Sequence, residues 1–184
     1  MPLLPVAVIL AMFIGLVIVA YFVFASFVFG AGYQPTPRRS ADAMLRLAEV
    51  GERDTLYDLG AGTGAIVFRA ARVYRARVVA VEVEPVRALI LRLRRLRGPF
   101  ADRIAIVWGD FFRLDFRSAT VVTTFLWGRA MDRLRPKLER ELPAGARIVS
   151  YVHPVRGWTA ETYDPETDVY LYRRPAEAPV TDGS

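Results

Sequence analysis

Tyr57-Asp58-Leu59-Gly60-Ala61-Gly62-Thr63-Gly64 is the stretch on which the fold turns. Thr55–Leu59 (TLYDL) reads as a buried strand, and the glycines that follow stop it and open a helix running to about Tyr74. Glycine takes positive φ at low cost and lets the backbone approach a ligand. The helix behind it offers N-terminal amides to electronegative groups. Gly60-Ala61-Gly62-Thr63-Gly64-Ala65 also satisfies the dinucleotide fingerprint G-x-G-x-x-[GA], so the glycines alone leave the ligand open.

Further strands and helices alternate outward from this point. Arg77–Val83 reads as a second strand. Pro85 opens a helix whose apolar positions 86, 89, 90, 93 and 96 follow the helical period and stop at Gly98. Ile104–Trp108, Ala119–Phe125 and Gly145–Val152 are strand candidates. Arg129–Leu142 is helical in pattern, with Pro136 expected to split or kink it. A short strand around Trp158–Tyr163 and a clear one at Val169–Arg173 close the chain as an antiparallel hairpin. Upstream, Thr36 is expected to cap a helix with Pro37 at its first position; Met44, Leu45 and Ala48 share one face of it until Gly51. This alternation predicts an α/β fold, a Rossmann-like parallel sheet with helices on both faces.

Three acids narrow the ligand. Asp58 ends the first strand, where a pyrophosphate would be repelled and a cationic amino-acid arm held. Glu82 ends the second, the position from which a carboxylate accepts ribose hydroxyls, with Val83 next to it. Asp110 follows the third strand and is placed to accept the exocyclic amine of adenine, with Phe111 stacking near the ring. Each acid alone also fits a cap or turn. Together they fit a nucleoside bearing a positive amino-acid arm, which is S-adenosylmethionine, better than NAD.

The absences point the same way. The chain has no cysteine, one histidine (His153) and one lysine (Lys137). Cys-ligated metal, thiol nucleophiles and His-rich metal sites are therefore excluded, and no metal is expected. Neither a G-x-S-x-G elbow nor a Walker loop is present. Chemistry in which a cofactor brings the reactive group is favoured by elimination.

Of 25 basic and 19 acidic side chains, none falls in residues 1–37. Leu3–Phe29 is a 27-residue run, apolar except for Ser26 and the half-polar Tyr21. As a helix it spans about 40 Å, longer than the ~30 Å hydrocarbon core. It lacks the basic start and the short apolar stretch of a secretory signal, so an uncleaved transmembrane anchor over 3–30 is expected. A linker at 31–36, a domain at 37–175 and a disordered tail at 176–184 complete the organisation. Arg38, Arg39 and Arg46 follow the anchor, which places the N-terminus outside and the domain in the cytoplasm. Ala7, Ala11 and Gly15 form a small-residue stripe through which two anchors could pair weakly.

With these residues in hand, the chain resembles the seven-stranded Rossmann-like methyltransferases. More narrowly, it resembles the archaeal-type protein-lysine methyltransferases and the related enzymes that modify the c subunit of ATP synthase. The resemblance covers roughly Tyr33–Arg173. It rests on Tyr33-Gln34-Pro35-Thr36-Pro37, the glycine loop, Val81-Glu82-Val83, Gly109-Asp110-Phe111-Phe112, the threonine-bearing Ala119–Leu126, Pro136–Leu142, Gly145–Ser150 and Arg156-Gly157-Trp158. It implies S-adenosylmethionine bound by Tyr33, Thr36, Asp58, Gly60, Gly62, Gly64, Glu82, Val83, Asp110 and Phe111, with Tyr33 and Thr36 closing over the methionine end. Thr63 departs from the family, whose members often carry an acid there.

A lysine amine must lose its proton before it attacks, and a narrow aromatic channel disfavours the charged form. Phe125, Trp127, His153 and Trp158 are the candidate lining, each with core packing as the plainer reading. No catalytic base is assigned. Thr124-Phe125-Leu126-Trp127 stands where amide and nucleobase-amine methyltransferases carry an N-P-P-Y-type clamp, which favours an amine acceptor. The arginines of the 85–98 helix (Arg87, Arg92, Arg94, Arg95, Arg97) flank the apolar stripe as a solvated face would. They suit a helix C-terminus or anionic lipid better than nucleic acid, because interleaved aromatics are lacking. The expected partners are a protein with an exposed lysine and the bilayer. Methylation of RNA or a small lipophilic molecule, or cofactor binding without turnover, are the alternatives.

Overall fold

The structure is a computed structural model, and it describes residues 3–28 and 34–175. Tyr33 and the expected tail at 176–184 lie outside the described residues. The chain divides into two compact units at Gln34 and Pro35.

The first unit is a single helix, α1 (Leu3–Val28), 26 residues long. It contains no charged residue, and mean hydropathy over Leu4–Tyr21 is 2.7. By length and composition it is sufficient to cross a bilayer.

The second unit opens with α2 (Arg38–Leu47), then β1 (Thr55–Leu59), α3 (Ala65–Val73), β2 (Arg77–Glu82), α4 (Pro85–Leu96) and β3 (Ile104–Trp108). It continues with β4 (Val121–Thr124), α5 (Gly128–Glu141), β5 (Arg147–Tyr151), β6 (Thr162–Asp164) and β7 (Val169–Arg173). The seven strands form one sheet in the order β3-β2-β1-β4-β5-β7-β6. Strands β1 to β5 run parallel; β7 is antiparallel to both β5 and β6. The closing hairpin expected from the sequence is present. The strand order reverses between β1 and β4, and in such sheets ligands bind beyond the carboxyl ends of the strands at that point.

Alternation along the strands builds two cores. Leu56, Val78, Val121 and Val149 point to one face, where they meet Met44 and Leu45 of α2, Val67 of α3 and Leu91 of α4. Tyr57, Leu59, Val122 and Ile148 point to the other, against Met131, Leu134 and Leu138 of α5. Both faces of the central strands are covered, which is why β4 reads as an unbroken buried run.

Three local expectations are corrected. Pro37 occupies the N-cap position of α2 rather than its first helical turn, and no side-chain cap hydrogen bond is made there, so Thr36 does not cap the helix. Helix α5 is not split at Pro136, which lies inside it. Pro136 is exposed, so water can satisfy the carbonyl that its missing N–H would have bonded. In α4 the inward residues are Arg87, Ala88 and Leu91, whereas Leu89, Leu93 and Leu96 are exposed. Arg87 is therefore not part of a solvated face.

Candidate active site

The turn after β1 is held against β2: the amides of Gly60 and Ala61 both donate to the Val81 carbonyl at 2.9 Å. Gly60, Gly62 and Gly64 all have positive φ. At Gly64 (φ +91°) a Cβ would sit 2.4 Å from Phe68 and 2.8 Å from Leu91, so only glycine lets α3 and α4 close behind the loop.

The three carboxylates lie at the carboxyl ends of three adjacent strands, β3-β2-β1. Strand spacing of about 4.8 Å spreads them over roughly a nucleoside's length. Glu82 is buried; one carboxylate oxygen accepts the Gly62 amide at 2.7 Å and the other the Glu84 amide at 2.9 Å. A carboxylate has about four acceptor sites, so each oxygen keeps capacity for a further donor. Glu84, also buried, caps α4 by accepting from the amides of Val86 and Arg87 at 2.8 Å each. The guanidinium of Arg87 turns inward between the two acids, 3.4 Å from Glu84 and 3.9 Å from Glu82.

Asp58 is buried like Glu82. Burial pushes its carboxyl up to about 7; the Thr123 hydroxyl, donating at 2.8 Å, opposes that shift and the charge of Glu82 adds to it. Asp58 and Thr123 face each other in the β1–β4 register, which explains a threonine in a buried strand. A carboxylate held in this way is completed by a cation. Asp110 follows β3 and caps the 3-10 turn Phe111–Arg113, accepting the Phe112 amide at 2.9 Å through one oxygen. Its second oxygen makes no hydrogen bond among the described residues. Phe111 is half-buried and tilts against Phe112 at 4.6 Å. The carbonyl of Val83 accepts the indole N–H of Trp108 at 3.0 Å, a contact that fixes the backbone just past Glu82. Thr36 is half-buried ahead of α2.

Past β4 and β5 the aromatic residues meet. Phe125 lies 4.6 Å from Tyr151 and 6.1 Å from His153, and Trp127 lies 5.3 Å from His153, measured between ring centroids. Trp127 is 55% exposed and so forms the outer wall. Trp158 does not join them: it packs on Tyr172 at 5.9 Å and its N–H donates to Glu139 of α5 at 2.8 Å. Tyr151 was missed in the sequence; an aromatic two residues before His153 on the same strand end was its signal. Thr123 was missed too, although a hydroxyl in an apolar strand demands a partner. No group of metal-ligating side chains occurs among the described residues.

A seven-stranded sheet in this order, with a glycine turn after β1 and acids at three strand ends, defines a Rossmann-like S-adenosylmethionine-dependent methyltransferase, and the donor set fits that cofactor. The family model for the ANTKMT methyltransferase domain matches residues 58–162, and the chain belongs to that family. It is 38% identical over 149 residues to a protein-lysine N-methyltransferase of Saccharolobus islandicus (strain REY15A), covering 76% of this chain and 91% of that protein. It is 27% identical over 129 residues to the lysine N-methyltransferase of the ATP synthase c subunit from Rattus norvegicus, covering 70% of this chain and 59% of that one. A solved RNA methyltransferase from Salinibacter ruber, in complex with S-adenosyl-L-homocysteine, superposes with a TM-score of 0.76 at 38% identity. That match covers 82% of this chain and all of the other.

Proposed function

We propose that the chain is a membrane-anchored enzyme that transfers methyl groups to lysine side chains of proteins. The observation that carries the acceptor class is the aromatic group Phe125, Tyr151, Trp127 and His153 beyond β4 and β5, with no polar clamp in Thr124-Phe125-Leu126-Trp127. The methyl on the sulfonium is already electrophilic when the donor is bound, so the protein's task is to align and to desolvate. Asp58, Glu82 and Asp110 hold the donor from its cationic arm to its base, with the glycine loop beneath and Thr36 at the near end. Apolar aromatic walls favour a neutral amine over an ammonium and so help it shed its proton. The lysine acceptor agrees with the activities of the archaeal and rat relatives.

Helix α1 supports anchoring, and the arginines at 38, 39 and 46 support a cytoplasmic domain. Its small residues Ala7, Ala11 and Gly15 recur every four positions, a spacing that lets a second anchor helix approach closely.

A second reading, RNA as acceptor, is favoured by the likeness to the Salinibacter ruber RNA methyltransferase. Incubating the full chain with methyl-labelled donor and fractionated cell extract separates the two. Label on lysine in the protein fraction is the expected result; label lost to nuclease, with none on lysine, would replace this reading with the second.

A further inference from the structure

Helix α4 presents to solvent the combination that a water-facing helix avoids. Leu89, Leu93 and Leu96 are 54%, 47% and 76% exposed and fall on one face at helical spacing. Arg92, Arg94, Arg95 and Arg97 surround them, and Arg72 reaches the same region from the end of α3. None of these five arginines makes an ion pair among the described residues; Arg94 donates to the Thr63 carbonyl and lies over the Phe68 ring, and Arg95 donates to the Ala101 carbonyl at 2.8 Å, which leaves their charge without an acidic partner. At the C-terminal end of α4 is a cavity of about 360 Å³ lined by Phe68, Arg72, Arg95, Arg97, Phe100 and Ile104. Its lining therefore combines apolar rings with three cationic side chains. The cavity sits where β3 begins, at the sheet edge opposite the strand ends that carry Asp58, Glu82 and Asp110, so it is not part of the methyl-transfer site.

We propose that the α4 face is a docking surface for an anionic lipid bilayer. Leu89, Leu93 and Leu96 enter the headgroup–acyl boundary, the arginines pair with lipid phosphates, and the cavity at the end of the helix receives one headgroup. An apolar face edged by basic side chains is the pattern of an interfacial helix, whose long arginine stems lie along the apolar zone while their charges stay at the phosphates. The charge complement selects the occupant: a second copy would oppose arginine to arginine, whereas an anionic surface neutralises them. Helix α2 lies on the same layer of the sheet as α4. Its Arg38 and Arg46 are exposed and also make no ion pair among the described residues. This inference extends the anchored reading to the folded domain, since tethering supplies the high local concentration that a weak surface contact needs.

The chain has no cysteine, so Leu93→Cys introduces a unique thiol for a nitroxide label. The labelled full chain is reconstituted with vesicles of phosphatidylcholine alone or with added phosphatidylglycerol. Spin relaxation by lipid-soluble oxygen is compared with relaxation by an aqueous nickel chelate. On anionic vesicles the label should move from water into lipid, and a label at Tyr163→Cys on β6 should stay aqueous. Adding Arg92→Glu and Arg97→Glu should return the Leu93 label to water while donor binding in calorimetry is unchanged. A chain that floats with both kinds of vesicle but keeps its Leu93 label in water overturns the docking and leaves the anchor standing. A chain that floats with neither overturns both. Spin–spin broadening between Leu93 labels would show that the leucine faces pair with each other and would also overturn the proposal.

Discussion

Asp58 is a carboxyl whose folded environment opposes its own charge. Its carboxyl is pushed up to about 7 from 3.8, so the folded chain binds that proton more tightly than the unfolded one does. The stability it contributes is complete below about pH 4 and is lost as pH rises through 7. Asp58→Asn should remove that slope and leave the donor-free chain more stable at pH 8 by a few kcal/mol, on the order of 1.4 kcal/mol for each tenfold change in proton affinity. Thermal melts at pH 5 and pH 8 check this; a pH dependence that survives the substitution would contradict it. A bound cation reverses the sign, holding the ionised form, so donor affinity in the natural chain should strengthen as pH rises through 7, with proton release seen by calorimetry in two buffers. The acids and glycines of this site were legible because strand ends and glycine runs announce themselves locally. The Thr123 hydrogen bond was not, because it joins residues 65 apart whose pairing only the sheet register supplies.

At the scale of elements, α4 shows what periodicity conveys and what it omits. Positions 86, 89, 90, 93 and 96 do share a stripe, but periodicity does not say which stripe faces the sheet. The inward one is narrow because α4 covers β2 and the edge strand β3, and because Glu82 and Glu84 need a buried cation beside them. Arg87→Ala should leave two buried carboxylates without that partner and cost about 3 kcal/mol, the scale for breaking a buried ion pair. A lowered thermal midpoint with weakened donor binding, partly restored by Arg87→Lys, is the expected result; an unchanged midpoint would place Arg87 outside the support of the site. The same limit explains Trp158: a motif gives its sequence position, whereas its contacts with Tyr172 and Glu139 arise from the β7 and α5 packing around it.

Across the whole molecule, topology was the most legible property, since alternating strands and helices with a closing hairpin admit few arrangements. The single lysine bears on the acceptor. Lys137 is half-buried, donates to both oxygens of Glu141 at 2.7 Å and lies over the Phe116 ring at 5.0 Å. The folded chain with labelled donor should therefore show no lysine label of its own in mass spectrometry, all of it appearing on added acceptor protein; label at Lys137 would contradict this. The proposed grip on the methyl donor comes from three strand-end carboxylates, and Glu82 sits at their centre. Titration calorimetry of S-adenosylmethionine into the Glu82→Ala chain, with Glu82→Gln alongside, tests that grip directly. Losing charged hydrogen bonds to the loop and the ribose should weaken affinity by about 3 kcal/mol, roughly hundredfold, less for glutamine. Unchanged affinity in a folded Glu82→Ala chain would contradict the assignment of this edge as the donor site.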